Sequence, residues 1–257
     1  MRLRGPFARL VTGRRRQPAA RTRAREAALV GTTLVVLALA VLNVVKHTLP
    51  GDGVTLSVVA ALALIGFARW SGLSWEQLGL ARERLRSGGV WAAAAVAAVA
   101  VVYLVGVLVP ETRTAFLDSR YHMGVPDAVL TAFVLIPLRT VLFEEVAFRS
   151  VLWGMLSRHM STWGVVAVSS GLFGLWHVLP SLSYATANQG LNEVVQPGAM
   201  TTALVALGTV LFTAGGGLVA AELRRRSGSV VASAGMHWAT NALGVLFGLA
   251  AWRLAAG

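Results

Sequence analysis

The chain has 257 residues and a formal charge of +12; 56% of its residues are hydrophobic, 13% are charged and none is cysteine. A soluble domain carries about 45–50% apolar and about 25% charged residues, so this composition excludes an ordinary globular protein and points to an all-α, polytopic membrane helix bundle. About seven transmembrane helices of ~20 residues fit, with no room for a second soluble domain. The missing thiol excludes disulfides, thiolate metal ligands and a cysteine nucleophile together.

In chain order, residues 1–26 form a basic segment expected to be disordered, to lie on anionic lipid heads and to stay cytoplasmic. Nine arginines sit there, with Phe7 as the sole aromatic. A stacking pattern is absent, so no nucleic-acid partner is expected. Residues 27–257 read as a single transmembrane domain. Its apolar runs are 27–45, 54–70, 88–109, 127–157, 162–180, 200–222 and 228–253. The first is expected to be a retained anchor, because its one signal-peptidase-like triplet, Ala38-Leu39-Ala40, lies in mid-run. With the N-terminus cytoplasmic, the tail arginines and Arg69, Arg82, Arg84, Arg86, Arg158, Arg224, Arg225 and Arg226 fall inside. Only Lys46, Arg113, Arg120 and Arg253 fall outside. That asymmetry satisfies the positive-inside rule. The Arg/Ala/Val/Gly bias suggests a prokaryotic cytoplasmic membrane.

Three polar clusters interrupt the runs: "EEVAFR" at 144–149, "FGLWH" at 173–177 and "HWATN" at 237–241. Ionisable residues inside spans are rare and default to a functional reading. Glu145 and Arg149 are four apart and can neutralise one another; His237 and Asn241 share the same spacing, and Phe173 lies a turn before His177 as a packing wall. The Glu145–Arg149 pair reads equally well as a structural ion pair. Depth is the stronger signal. Counted from the inner end at 1.5 Å per residue, Glu144 lies at ~20 Å, His177 at about 22 Å, His237 at ~14 Å and Asn241 at about 20 Å. Three helices of alternating direction thus bring a carboxylate, two imidazoles and an amide to nearly one level.

Two kinds of chemistry fit such a site. A carboxylate beside imidazole can take a proton from water, while an imidazole and an amide stabilise an oxyanion. Alternatively, Glu144, His177 and His237 would hold Zn2+ and leave a fourth position for water. Both routes end in hydrolysis of a carbonyl, most plausibly a peptide bond. Pro137 in "IPLR" is expected to kink the span beside the site.

Glu-Glu-x-x-x-Arg, Phe-x-x-x-His and His-x-x-x-Asn on successive late spans resemble the CPBP family of intramembrane proteases, the type II CAAX prenyl endopeptidases and bacteriocin-processing enzymes. The resemblance covers roughly residues 72–250, with "GLSWEQLGL" at 72–80 similar to the amphipathic segment before the family core. It implies that Glu144 activates water, that Glu145 and Arg149 support it, and that His177 partners the base or binds metal. His237 and Asn241 would then stabilise the oxyanion, or His237 would be a second ligand. Ser150 departs from the glycine common after the arginine. The family has been described both as metal-dependent and as using glutamate alone. The implied substrate is a membrane-embedded or lipidated protein or peptide, cut near the cytoplasmic half of the bilayer among membrane lipids. Two other readings compete: a non-catalytic membrane partner or bacteriocin-immunity protein using the same fold, and a transporter, which would require a repeat symmetry the chain lacks. His47, His122 and His159 lie at span ends or in loops and carry no assignment; "GGG" at 215–217 reads as close helix packing. Asn192 and Glu193 would shape access from the 181–199 loop.

Overall fold

A computed structural model of the chain describes residues 18–48, 52–182 and 199–256. Seven helices in it are long and apolar enough to cross a membrane: α1 (Pro18–Thr48), α2 (Gly53–Trp70), α3 (Leu85–Leu108), α4 (Val125–Leu156), α5 (Thr162–Ser181), α6 (Ala199–Ser227) and α7 (Val230–Ala255). No strand occurs among the described residues. α1 already begins at Pro18, so the end of the segment expected to be disordered is helical; residues 1–17 and the expected access residues Asn192 and Glu193 lie outside the described residues.

The core is organised around α4. Phe143, Val146, Ala147, Phe148, Val151, Leu152, Met155 and Leu156 are buried against Val35 and Leu39 of α1, Leu64 of α2, Val165 and Phe173 of α5 and Ala221 of α6. Small residues let the outer helices close in. A Cβ on Gly174 of α5 would lie 2.7 Å from the Val210 carbonyl of α6, and one on Gly235 of α7 would lie 2.5 Å from Ala92 of α3. Of the three consecutive glycines only Gly217 packs closely, against Ser170; Gly215 and Gly216 face open space.

α4 is not a regular α-helix. It is wound as π-helix over Thr131–Leu135, Pro137–Val141 and Glu145–Leu152. Pro137 opens the second of these turns, so its missing donor is absorbed by a change of winding within a continuous helical run. Wider turns displace carbonyls from the regular ladder, and in hydrocarbon each displaced group needs a partner. Side chains from other helices supply them. Trp238 Nε1 donates to Ala132 O (3.0 Å), Ser57 Oγ and Lys46 Nζ to Arg139 O (2.6 and 2.9 Å), Ser169 Oγ to Phe148 O (3.1 Å) and Arg224 Nε to Arg149 O (3.2 Å). α7 repeats the device: its π-turn Ala239–Leu243 has the Thr240 carbonyl held by Tyr103 Oη of α3 at 3.0 Å.

The 71–81 connection closes one end of the bundle. Ser74 and Gln77 bond reciprocally, each backbone N–H donating to the other's side chain, and Leu73 and Leu78 are fully buried. Gly79 adopts φ 71°, a left-handed conformation that favours glycine, and the Arg224 guanidinium occupies the space its Cβ would need. Arg224 Nη2 also donates to the Gln77 carbonyl at 3.1 Å.

Candidate active site

Glu144, Glu145 and Arg149 lie where α4 passes through the core and are 5, 2 and 1% exposed. Adjacent on the helix, the two carboxylates face different partners. Glu145 Oε1 stands 3.0 Å from His237 Nδ1 and 3.5 Å from Arg149 Nη1. The Arg149 guanidinium lies flat over Phe173, 3.8 Å from the ring centroid, so a carboxylate and an aromatic face share its charge. Phe173 turns its edge to both histidines, with centroids 4.7 Å from His177 and 5.8 Å from His237. The expected packing wall is therefore the hub on which the arginine and both imidazoles rest.

Glu144 is held by one oxygen and bare on the other. Trp176 Nε1 donates to Oε1 at 3.0 Å. Oε2 is buried with no hydrogen-bond partner, yet it faces His237 Nε2 at 3.7 Å and His177 Nε2 at 4.0 Å. Both rings are oriented from behind. His177 Nδ1 lies 2.8 Å from the Phe173 carbonyl and His237 Nδ1 lies 3.0 Å from the Glu145 carboxylate. Since those partners only accept, each Nδ1 carries a proton and each Nε2 is turned toward Glu144.

His177 does not sit within a continuous helix, as the sequence spacing suggests. The α-helical part of α5 stops at Trp176, His177 takes φ −88° and ψ 3°, and a single turn, Val178–Ser181, follows. The cause is Pro180, which has no N–H to give the Trp176 carbonyl; Asn43 Nδ2 of α1 fills that gap at 2.7 Å. The break frees the imidazole to turn into the site. Asn241 follows His237 into the π-turn of α7 and is half-buried. The structure brings Glu144, Glu145, Arg149, His177 and His237 into one cluster but gives the Asn241 carboxamide no bond to it.

Three contributors escape the motif reading. Trp176 looks like filler between Phe173 and His177, Asn43 stands in the first span far from any motif, and Lys46 reads as a residue at a span end. A polar side chain within "VLNVVK" at 41–46 is the only available hint. Lys46 lines a cavity of about 970 Å³ with Val45, Asp52, Leu56, Ile136 and Arg139, and Glu144 forms part of its wall. The cavity reaches Glu144 from the Asp52 end of the bundle, opposite the end closed by residues 71–81.

The zinc reading can be tested on the ligand atoms themselves. Among the described residues no group of three His, Cys, Asp or Glu could hold a metal ion.

Residues 126–243 match the family model of the type II CAAX prenyl endopeptidase, Rce1-like. The site lies in an Rce1-like region. That region is similar to a protease family, and together with the seven apolar helices it points to an integral, multi-pass membrane protein. No curated protein and no solved structure matches the chain. The Rce1-like region takes in Glu144, Glu145, Arg149, His177, His237 and Asn241, and it excludes α1 to α3, from which Asn43, Lys46 and Ser57 come.

Proposed function

We propose that the protein is an intramembrane endopeptidase that cleaves a membrane-associated protein or peptide by water activated at Glu144. The carrying observation is the bare, buried Glu144 Oε2 opposite two oriented imidazole nitrogens. A water held there gives its proton to Glu144 while its oxygen attacks the scissile carbonyl carbon. His237, its Nδ1–H fixed on Glu145 and its Nε2 protonated from solvent before the attack, donates to the oxyanion and keeps that proton throughout, and the Glu145 carboxylate balances the imidazolium. Asn241 is the second donor once substrate is bound. The proton on Glu144 then passes to the leaving nitrogen, the C–N bond breaks, and the products are a carboxylic acid and an amine. His177 holds the water through Nε2. Arg149 keeps Glu145 ionised and in place.

Glu144→Gln keeps the shape and the bond from Trp176 available while removing the base. Cleavage of peptides or membrane proteins by the purified chain should fall by about 10²–10⁴-fold, with an unchanged unfolding profile in detergent. Turnover that survives in a folded variant refutes the reading. Chelation of the same wild-type preparation should leave activity intact; loss that zinc restores would move Glu144, His177 and His237 into ligand roles.

A further inference from the structure

The cavity between α1, α2 and α4 carries two cations that the reaction above does not use. Lys46 Nζ donates to neutral acceptors, Ser57 Oγ at 2.8 Å and Arg139 O at 2.9 Å, and stands over the Phe143 ring. The Arg139 guanidinium packs beside Gly53, with Nε 2.9 Å from where a Cβ would be, and is exposed. Neither cation forms an ion pair among the described residues. Two carboxylates line the same space, so the formal charges balance, but both are committed. Asp52 caps α2, accepting from Thr55 Oγ1 at 2.5 Å, Val54 N at 2.9 Å and Thr55 N at 3.1 Å; the Thr55 hydroxyl and then the two amides hold its carboxyl below its ordinary range. Glu144 is held through Oε1 by Trp176 and turns its bare Oε2 toward the two imidazoles, away from a role as counter-ion to either cation. The rest of the wall is mostly apolar, with Val45, Leu56, Val59, Leu135 and Ile136, and His47, Thr131 and Thr140 add neutral polar groups.

A largely apolar space with two cations that have no carboxylate partner among the described residues, leading to a catalytic carboxylate, suits a chain segment that is itself largely apolar and bears one anion. We propose that this cavity selects a substrate segment carrying a carboxylate, an acidic side chain or a free C-terminus, and that Lys46 and Arg139 bind that carboxylate within a few residues of the scissile bond. This rests on the endopeptidase reading for the bond broken, not for the binding. Lys46 lies outside the Rce1-like region, so the preference is a property of this chain's first span. A peptide fits better than a lipid headgroup because the cavity ends at Glu144, the carboxylate that the proposed reaction sets against a peptide bond.

The test uses the full chain carrying Glu144→Gln, so that binding is read without turnover, and three fluorescent apolar decapeptides. One has a central Glu and an amidated end, one a central Gln and an amidated end, and one a central Gln and a free carboxyl end. At least one carboxylate peptide should bind about tenfold more tightly than the neutral one, the gain of one charge-assisted hydrogen bond; which of the two does so identifies the source. Adding Lys46→Gln and Arg139→Gln should bring the ratio to about one, whereas Lys46→Arg with Arg139→Lys should keep it. Arg139→Gln alone removes a group with no bond to lose, so a fall in the ratio there is not a folding effect. Ratios within twofold in the starting protein, or a preference untouched by the double substitution, overturn the proposal. So does co-purifying phosphatidylglycerol that the double substitution releases without any peptide preference, which would make this a lipid phosphate site. A carboxylate preference in a protein that never cleaves anything sinks the endopeptidase reading and leaves this one standing.

Discussion

α3 and α4 are both long apolar helices, and α3 is the more ordinary span. It is rich in alanine and valine, winds as a regular α-helix from Leu85 to Leu108, and buries only Gly88 and Val107. α4 carries two glutamates and two arginines, winds as π-helix over much of its length and passes through the centre of the core. The contrast shows what an irregular helix demands of its neighbours. α3 satisfies its backbone alone and can face lipid. α4 can hold Glu144, Glu145 and Arg149 inward only because Trp238, Ser57, Lys46, Ser169 and Arg224 take up its displaced carbonyls. Several polar residues that an intramembrane position marks as functional are therefore the scaffold of the functional helix.

If that contrast is right, damage should be graded by how much of the α4 polar structure is undone. The largest expected loss is Arg149→Met. It leaves Glu145 buried with no cation, held by His237 and Ser233 alone, and breaking a buried pair from one side costs about 3–5 kcal/mol. Thermal unfolding in detergent should show a severely destabilised protein, and restoring charge with Arg149→Lys should recover only part, because a lysine cannot lie flat over Phe173. Arg224→Met should come next. It frees the buried Arg149 carbonyl, at about 1–3 kcal/mol for a buried group left unmet, and releases the more exposed Gln77 carbonyl at smaller cost. It should also loosen the 71–81 connection, read as faster amide exchange at Leu78 and Gly79. A fully stable Arg224→Met would show that α4 does not depend on its neighbours.

The helix count was legible because apolar runs of span length have few other uses. Each of the seven runs corresponds to a helix within a few residues at most ends. The cluster was legible too, since three motifs at one depth on alternating helices have little choice but to meet. Illegible features were those in which one helix answers another. The π-winding of α4 has no local signature beyond Pro137, and Asn43 answers a carbonyl orphaned by Pro180 in a different span. Trp176 and Lys46 act through partners more than 30 and 90 residues away, Glu144 and Arg139 respectively. Propensity and periodicity describe a helix by itself; these bonds exist only between helices.

The smallest prediction separates the two helices most cleanly because it asks for a difference near the limit of measurement. Ser169 is buried, and its hydroxyl donates to the Phe148 carbonyl in a π-turn of α4. Ser169→Ala removes that donor without changing the packing volume much, and interhelical bonds of this kind contribute about 0.6 kcal/mol on average and at most about 1.7. Ala97 of α3 is exposed toward the lipid, so Ala97→Leu adds three carbons where hydrocarbon already surrounds the helix and should change stability by less than about 0.5 kcal/mol. The larger substitution should thus have the smaller effect. If Ala97→Leu proves the more damaging, α3 is not the self-sufficient helix its regular winding implies, and the stability of the bundle resides in surface fit more than in the carbonyls of α4.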